Sequence, residues 1–388
     1  MLLLLLQLQG FLEWRGVDMS QLSTEDKNGT DPPFREAPGS PREDALMMLQ
    51  SNGANTFRMR LWNSPCADGR CNASDFSYAS PAGALDMARR ATAANLSFVL
   101  DLHYSDWWAD PGQQIKPAAW AQLPFDELNR QVFAWTRRTV AEFVARGTPP
   151  STVQVGNEVS NGFLWNEKNS SCNTGGRLDG ACSRVEGAWS RFGGLIAQGI
   201  RGARAACPSC EVAIHTDLGN HIHEWGVEYV VEWYSNLSAA LRDHSHEHPR
   251  ETPLDFERIG LSLYPEYCRG HTLESVRALS QLARAFPAKA IYIAETAYPA
   301  EGNEQPEPAF NATPAGQLSY ISAVWTALRA ALPHPQAGGL LWWEGHEGGD
   351  WRSIYDDDNV ARPALLEGFR AAPGELGGEL AAVRPQRS

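Results

Sequence analysis

Two glutamates, Glu158 and Glu295, each close a short apolar run: Val153-Gln154-Val155-Gly156-Asn157 before the first and Ile291-Tyr292-Ile293-Ala294 before the second. Taken singly, a Glu in such a place is more often an exposed strand-end carboxylate than a working one. A facing pair changes the chemistry available. Two carboxyls about 5 to 5.5 Å apart can cleave an acetal with retention of configuration, because one attacks the anomeric carbon while the other protonates the departing oxygen and later activates water. The proton carrier must stay protonated near neutral pH, and mutual repulsion with partial burial raises the pKa of one member of such a pair.

The neighbours of the pair bear on that reading. Asn157, directly before Glu158, offers an amide able to hydrogen-bond a sugar hydroxyl. Arg58, Arg60 and Trp62 alternate and therefore share one strand face. Two arginines pointing into a core are costly unless carboxylates pair with them, so Arg58 or Arg60 is a candidate for keeping the nucleophile ionised; a surface-facing pair is the alternative. His103 and Tyr264 also end strands, where each could orient a Glu or a sugar hydroxyl or simply serve the structure. Of Trp342 and Trp343, followed by Glu344, one can lie under a bound sugar while the other faces the helix layer, and Trp107-Trp108 poses the same choice.

Eight β-branched or apolar runs could position these groups: 14–18, 55–61, 97–103, 152–157, 211–215, 258–264, 290–294 and 338–343. Amphipathic helical patterns follow them at 42–50, 81–94, 125–146, 188–206, 225–241, 273–286 and 316–332. Eight strand–helix alternations predict a (β/α)8 TIM barrel, whose chemistry sits at the C-terminal strand ends. Several of these ends are polar: Asp101-Leu102-His103 through Trp108, Gly156-Asn157-Glu158, His215-Thr216-Asp217, Tyr264-Pro265-Glu266 and Glu295-Thr296. The longest excursion, 163–186, is rich in Gly, Asn and Ser and is expected to rim the site. The catalytic domain is expected over 11–370, with a weakly ordered tail at 371–388.

Composition limits the partners. A formal net charge of −13 and no basic run argue against nucleic acid and anionic membranes, while 14 Trp and 10 Tyr can stack on sugar faces or fill a core. Residues 1–10 contain five consecutive Leu and read as the remnant of a signal peptide, without a basic start. Sequons at Asn28, Asn72, Asn95, Asn169, Asn236 and Asn311 fit a secreted chain. Six of the seven cysteines fall in local pairs, 66/71, 172/182 and 207/210, which read as disulfides; zinc competes at Cys207-Pro208-Ser209-Cys210 but has no second ligand pair, and Cys268 stands alone.

The ordered motifs resemble glycoside hydrolase family 53, the endo-β-1,4-galactanases of clan A, over residues 14–345. They are Trp14-Arg-Gly-Val-Asp-Met-Ser20, Asn55-Thr-Phe-Arg-Met-Arg-Leu-Trp62, Asp101-Leu-His-Tyr-Ser-Asp-Trp-Trp-Ala-Asp-Pro111, Gly156-Asn-Glu158, Phe163-Leu-Trp165, Tyr264-Pro265, Glu295-Thr296 and Trp343-Glu344. The resemblance implies retaining endo-hydrolysis of β-1,4-galactan; a polymer that cannot enter the cell makes a secreted chain the expectation, and a monomer is expected. It makes Glu158 the acid/base and Glu295 the nucleophile, with Arg58 as the nucleophile's partner. Asp101, His103, Asp106, Trp108, Asn157, His215, Asp217, Tyr264 and Trp343 then support the site or bind substrate. No cofactor is expected; some relatives carry a structural calcium, but no clear acidic ligand set appears here. Departures occur in the long 166–186 loop, at Tyr298-Pro299 where Trp-Pro is usual, and in Glu344-Gly-His-Glu-Gly348 where Glu-Pro-Ala-Trp is usual. They bear on subsites and linkage preference, so mannan, xylan or β-1,3-galactan remain alternative substrates, and a silent carbohydrate-binding barrel is an alternative of another class.

Overall fold

The computed structural model describes residues 13–26, 29–166, 171–172, 175–246, 254–303, 305–344 and 352–370. The leucine-rich start, the tail, Asn28, Asn169 and the run after Glu344 lie outside the described residues. Eight strands are numbered here in chain order: β1 (Trp14–Asp18), β2 (Thr56–Leu61), β3 (Ser97–Leu102), β4 (Thr152–Val155), β5 (Glu211–Thr216), β6 (Arg258–Ser262), β7 (Ala290–Thr296) and β8 (Ala337–Trp343). Every neighbouring pair is parallel, and β8 closes against β1 to complete a barrel. The main helices are α1 (Ala45–Ser51), α2 (Pro81–Ala93), α3 (Phe125–Ala145), α4 (Ala188–Ala206), α5 (Val227–His246), α6 (Thr272–Ala285) and α7 (Pro314–Ala331), with single turns at Leu22–Glu25, Ile222–Trp225, Pro265–Cys268 and Pro363–Leu366. The alternation read from hydrophobic periodicity is therefore the alternation of a (β/α)8 barrel.

The ends of the elements follow local chemistry. Asp44 accepts from the N–H groups of Leu46 and Met47 and starts α1 there, three residues later than the periodic pattern suggested. Ser80 and Thr313 cap α2 and α7, each with Pro at the first helical position. The pattern over 225–241 is two elements, because Gly226 at φ +79° breaks the chain between a single turn at Ile222–Trp225 and α5. Likewise β4 stops at Val155, since Gly156 lies at φ +83°.

Trp14, Val99, Ala213, Tyr292, Ala294 and Leu341 form a small apolar plug inside the barrel. The larger core fills the space between strands and helices. Above the plug the lumen turns polar. Cys66–Cys71, Cys172–Cys182 and Cys207–Cys210 are disulfides, so the zinc alternative at Cys207 does not hold; Cys268 is a buried free thiol whose pKa burial pushes up to about 12. Asn72, Asn95 and Asn311 are exposed and Asn236 is half-buried. Among the described residues no helix is long and apolar enough to cross a membrane.

Gly156 bears directly on the site. A Cβ there would stand 2.5 Å from Val159 Cγ1 and 3.2 Å from the Phe163 ring, in a backbone region that side chains rarely occupy. Gly156→Ala is expected to cost about 1–3 kcal/mol. Urea denaturation followed by circular dichroism measures this, and an unchanged midpoint contradicts it.

Candidate active site

Arg58 occupies the centre of the lumen and is fully buried. Nη1 donates to Asp18 Oδ2 and Glu295 Oε1, both at 2.9 Å; Nη2 donates to Asp101 Oδ2 at 2.9 Å and Asn157 Oδ1 at 2.8 Å; Nε donates to Gln154 Oε1 at 3.2 Å. A guanidinium has five N–H donors, and each has an acceptor here. Burial opposes the Arg58 charge, but Asp101, Glu295 and Asp18 outweigh it and raise its pKa. Arg60, one step along the same strand face, is bound by Glu344 and lies 4.1 Å from the centre of the Trp108 ring. Both arginines are thus inward and paired, and Arg58 rather than Arg60 holds Glu295.

Glu295 points inward because β7 carries a bulge. Across β6, one step from Leu261 to Ser262 matches two steps from Ile293 to Glu295; across β8, two steps from Leu340 to Trp342 match three from Ile293 to Thr296. Strict alternation after the inward Tyr292 and Ala294 would turn Glu295 outward, and the extra residue turns it back. The Tyr264 hydroxyl donates to Glu295 Oε2 at 2.9 Å. Burial raises the Glu295 pKa, and Arg58 is the largest influence opposing that rise.

Glu158 lies beyond the end of β4, at φ +47°. Its carboxyl contacts Ser262 Oγ at 2.5 Å. Burial pushes its pKa well above the carboxylate range, reinforced by Glu295 and then by Asp217. The Ser262 hydrogen bond opposes that rise, whereas at Glu295 the opposing influence is a buried guanidinium, so the two glutamates sit in unlike surroundings. Both open onto one cleft of about 520 Å³, together with Asp110, Asp217, Tyr264, Tyr267 and Trp343. Tyr267 is 61% exposed at this rim, and His221, also on the cleft, stacks at 4.2 Å on the exposed Trp225, which meets exposed Tyr229 edge-on.

The remaining expected residues fall into two groups. Asp101, His103, Asn157 and His215 form the buried floor: Asp101 accepts from Arg58, from Gln154 Nε2 at 2.6 Å and from His103 Nε2 at 3.0 Å. Asn157 Nδ2 spends one hydrogen on Ala109 O at 2.8 Å and Oδ1 meets Arg58 and His215, so the second Nδ2 hydrogen is the part of the amide left for a sugar. The Ala109 N–H in turn donates to His103 Nδ1 at 3.1 Å, so the 107–111 run hangs from His103 and Asn157 and delivers Asp110 and Pro111 to the cleft. Trp343 faces the cleft and Trp342 is buried. Trp108 packs between Arg60 and Trp343, whose ring centre is 6.5 Å away, and Asp217 binds Ser160 and lies 3.3 Å from His221.

Asp106 does not line the cleft. Its carboxyl accepts from the N–H of Ser64 at 2.9 Å and of Ala118 at 2.8 Å, which ties two loops together. The 163–186 excursion likewise turns Phe163, Leu164 and Trp165 inward, and none of its described residues lines this cleft. Sequence reasoning missed Gln154 and Ser262, whose only sign was a polar side chain inside a buried strand, and gave Asp18 no role. Among the described residues, no three His, Cys, Asp or Glu side chains cluster as a metal site.

A parallel barrel with a buried carboxyl pair of unequal basicity at its strand ends, opening onto an aromatic-rimmed cleft, has the construction of a glycoside hydrolase. The model of glycosyl hydrolase family 53 matches residues 14–361, and the chain belongs to that family. An uncharacterized protein in the bgaB 5' region of Niallia circulans is 32% identical over 85% of the chain and 82% of its own length. The arabinogalactan endo-β-1,4-galactanase of Thermothelomyces thermophilus is 30% identical, covering 86% of this chain and 89% of that one. A solved fungal β-1,4-galactanase superposes with a TM-score of 0.74 at 25% identity, over 93% of this chain and all of its own.

Two substitutions separate the scaffold from the floor. Arg58→Met strands buried carboxylates and is expected to cost about 3–5 kcal/mol in urea denaturation; a midpoint equal to the parent's contradicts this. Asp106→Ala is expected to cost about 1–3 kcal/mol through its two orphaned N–H groups while kcat/KM of the folded protein stays within a few-fold. A large fall in kcat/KM at unchanged stability would return Asp106 to the site.

Proposed function

We propose that this protein is a retaining endo-β-1,4-galactanase in which Glu158 is the acid/base and Glu295 the nucleophile. The observation that carries the assignment of roles is the asymmetry of the pair. Glu295 rests on Arg58 and accepts from Tyr264, contacts that favour a carboxylate; Glu158 has burial and three acidic neighbours, Glu295, Asp217 and Asp110, which favour the protonated form. In the first step Glu295 attacks the anomeric carbon as Glu158 passes its proton to the glycosidic oxygen, and the chain end leaves as an alcohol. In the second, Glu158 takes a proton from water, the hydroxide attacks the same carbon, and Glu295 is released. The substrate, type I arabinogalactan of pectin, is supported by the family and by the activity named for the relatives. Trp343 offers a sugar-stacking ring beside the pair, and Tyr267 and Trp225 extend the aromatic rim. A polymeric substrate and three disulfides favour secretion.

Reducing-sugar release from β-1,4-galactan, mannan, xylan and β-1,3-galactan tests the substrate; activity confined to the first is expected, and none on it refutes the reading. Glu158→Gln and Glu295→Gln are each expected to lower kcat on galactan by orders of magnitude. Proton NMR of the first product should show the β-anomer, and the α-anomer would contradict a close carboxyl pair. Because Glu158 works protonated and its pKa is raised, kcat/KM is expected to hold above the ordinary carboxylate range and fall as pH rises through the raised value. A basic limb near pH 4.5 contradicts this.

A further inference from the structure

The donors and acceptors below Glu158 can be counted in only one consistent way. The Ala109 carbonyl can only accept and Arg58 can only donate, so Asn157 must present Nδ2 to the first and Oδ1 to the second. His215 Nδ1 lies 2.9 Å from that same Oδ1, while the donors Gln154 Nε2 at 3.3 Å and Arg58 Nη2 at 3.5 Å spend their hydrogens on Asp101, Gly156 and Asn157, so Nδ1 carries the hydrogen. His215 is fully buried, and burial, then the nearby Arg58 and His103, hold its pKa well below the usual value. It is therefore neutral, and Nε2 is a bare acceptor. Ser262 Oγ is 2.9 Å from Nε2, so its single hydrogen points to His215. Toward an ionised Glu158 the Ser262 hydroxyl would donate across the 2.5 Å contact and favour the carboxylate, but with its hydrogen on His215 it offers an oxygen lone pair, and the contact is then satisfied only if Glu158 supplies the proton.

We propose that Arg58, Asn157, His215 and Ser262 form a hydrogen-bond relay of fixed polarity that holds the proton on Glu158 in the free enzyme. The relay rests on the reading of Glu158 as acid/base, and makes Ser262 and His215 positioning residues for it. Ionising Glu158 turns the Ser262 hydroxyl toward the carboxylate and leaves His215 Nε2 buried without a donor, so departure of the proton is opposed until the glycosidic oxygen accepts it. When Glu158 recovers a proton from water, Ser262 turns back to His215. The other groups facing Glu158 are Glu295 from β7, Asp217 after β5, Asp110 after β3 and Tyr264 after β6. Facing His215 are Arg58 from β2, His103 after β3, and Gln154 and Asn157 from β4 and its end. None of them donates to Nε2 in Ser262's place.

His215→Phe frees Ser262 to donate to Glu158 at no cost. The basic limb of kcat/KM on β-1,4-galactan is expected to move down by about one pH unit, the scale of one hydrogen bond to a buried group. A limb that stays or moves up overturns the relay, because a His215 that donated to Ser262 would have been favouring the carboxylate. Should that variant not fold, the unaltered protein labelled with [15N]histidine decides. Long-range 1H–15N spectra should show His215 as the Nδ1–H tautomer, unchanged across the working pH range; an Nε2–H or doubly protonated ring overturns the relay. Full turnover by Glu158→Gln would instead remove the acid/base reading itself, while a dead Glu158→Gln with an unmoved His215→Phe limb removes only the relay.

Discussion

A guanidinium buried at the centre of a barrel constrains everything around it. The Arg58 charge is tolerable only where each of its N–H groups meets an oxygen and where nearby negative charge offsets lost hydration. Asp18 on β1, Asp101 on β3, Gln154 on β4, Asn157 just beyond it and Glu295 on β7 supply those oxygens. These strands are therefore held in register by polar contacts above an apolar plug, and the nucleophile candidate is one of the contacts that make the fold workable. Site and scaffold are not separable here, which is why a change at Arg58 bears on stability as well as chemistry.

The same centre produces the difference between the two glutamates. Oxygens within reach of Arg58 are held toward the ionised form; Glu158 lies outside that reach and touches Ser262, with Glu295 and Asp217 nearby. A path from Arg58 to Glu158 runs through Asn157, His215 and Ser262, and along it the cation's preference for acceptors is passed on until it returns as a preference for a protonated carboxyl. One buried charge thus favours opposite protonation states at two positions.

The barrel is legible in the sequence because its parallel strands are buried on both faces and read as short continuous apolar runs between amphipathic helices. Strand ends shift where a single φ intervenes, as at Gly156 and Gly226. The pairing of Arg58 and Arg60 with carboxylates is legible from their alternation, though not which carboxylate goes to which arginine. The inward aim of Glu295 is not legible, since it depends on a bulge that alternation alone contradicts. Asp106 misleads for the opposite reason: it stands within a motif that looks like site chemistry but spends both oxygens on loop N–H groups. Gln154 and Ser262 gain meaning only from partners about 50 to 140 residues away in sequence.

The division of labour between Glu158 and Glu295 turns on the order in which the two carboxyls ionise. Carbon-13 NMR titration of the glutamate carboxyls, assigned with the single Glu→Gln variants, reads that order directly. Glu295 should ionise first and Glu158 only at distinctly higher pH. Ionisation of Glu158 before Glu295 would contradict both the role of Arg58 and the division of labour between the pair.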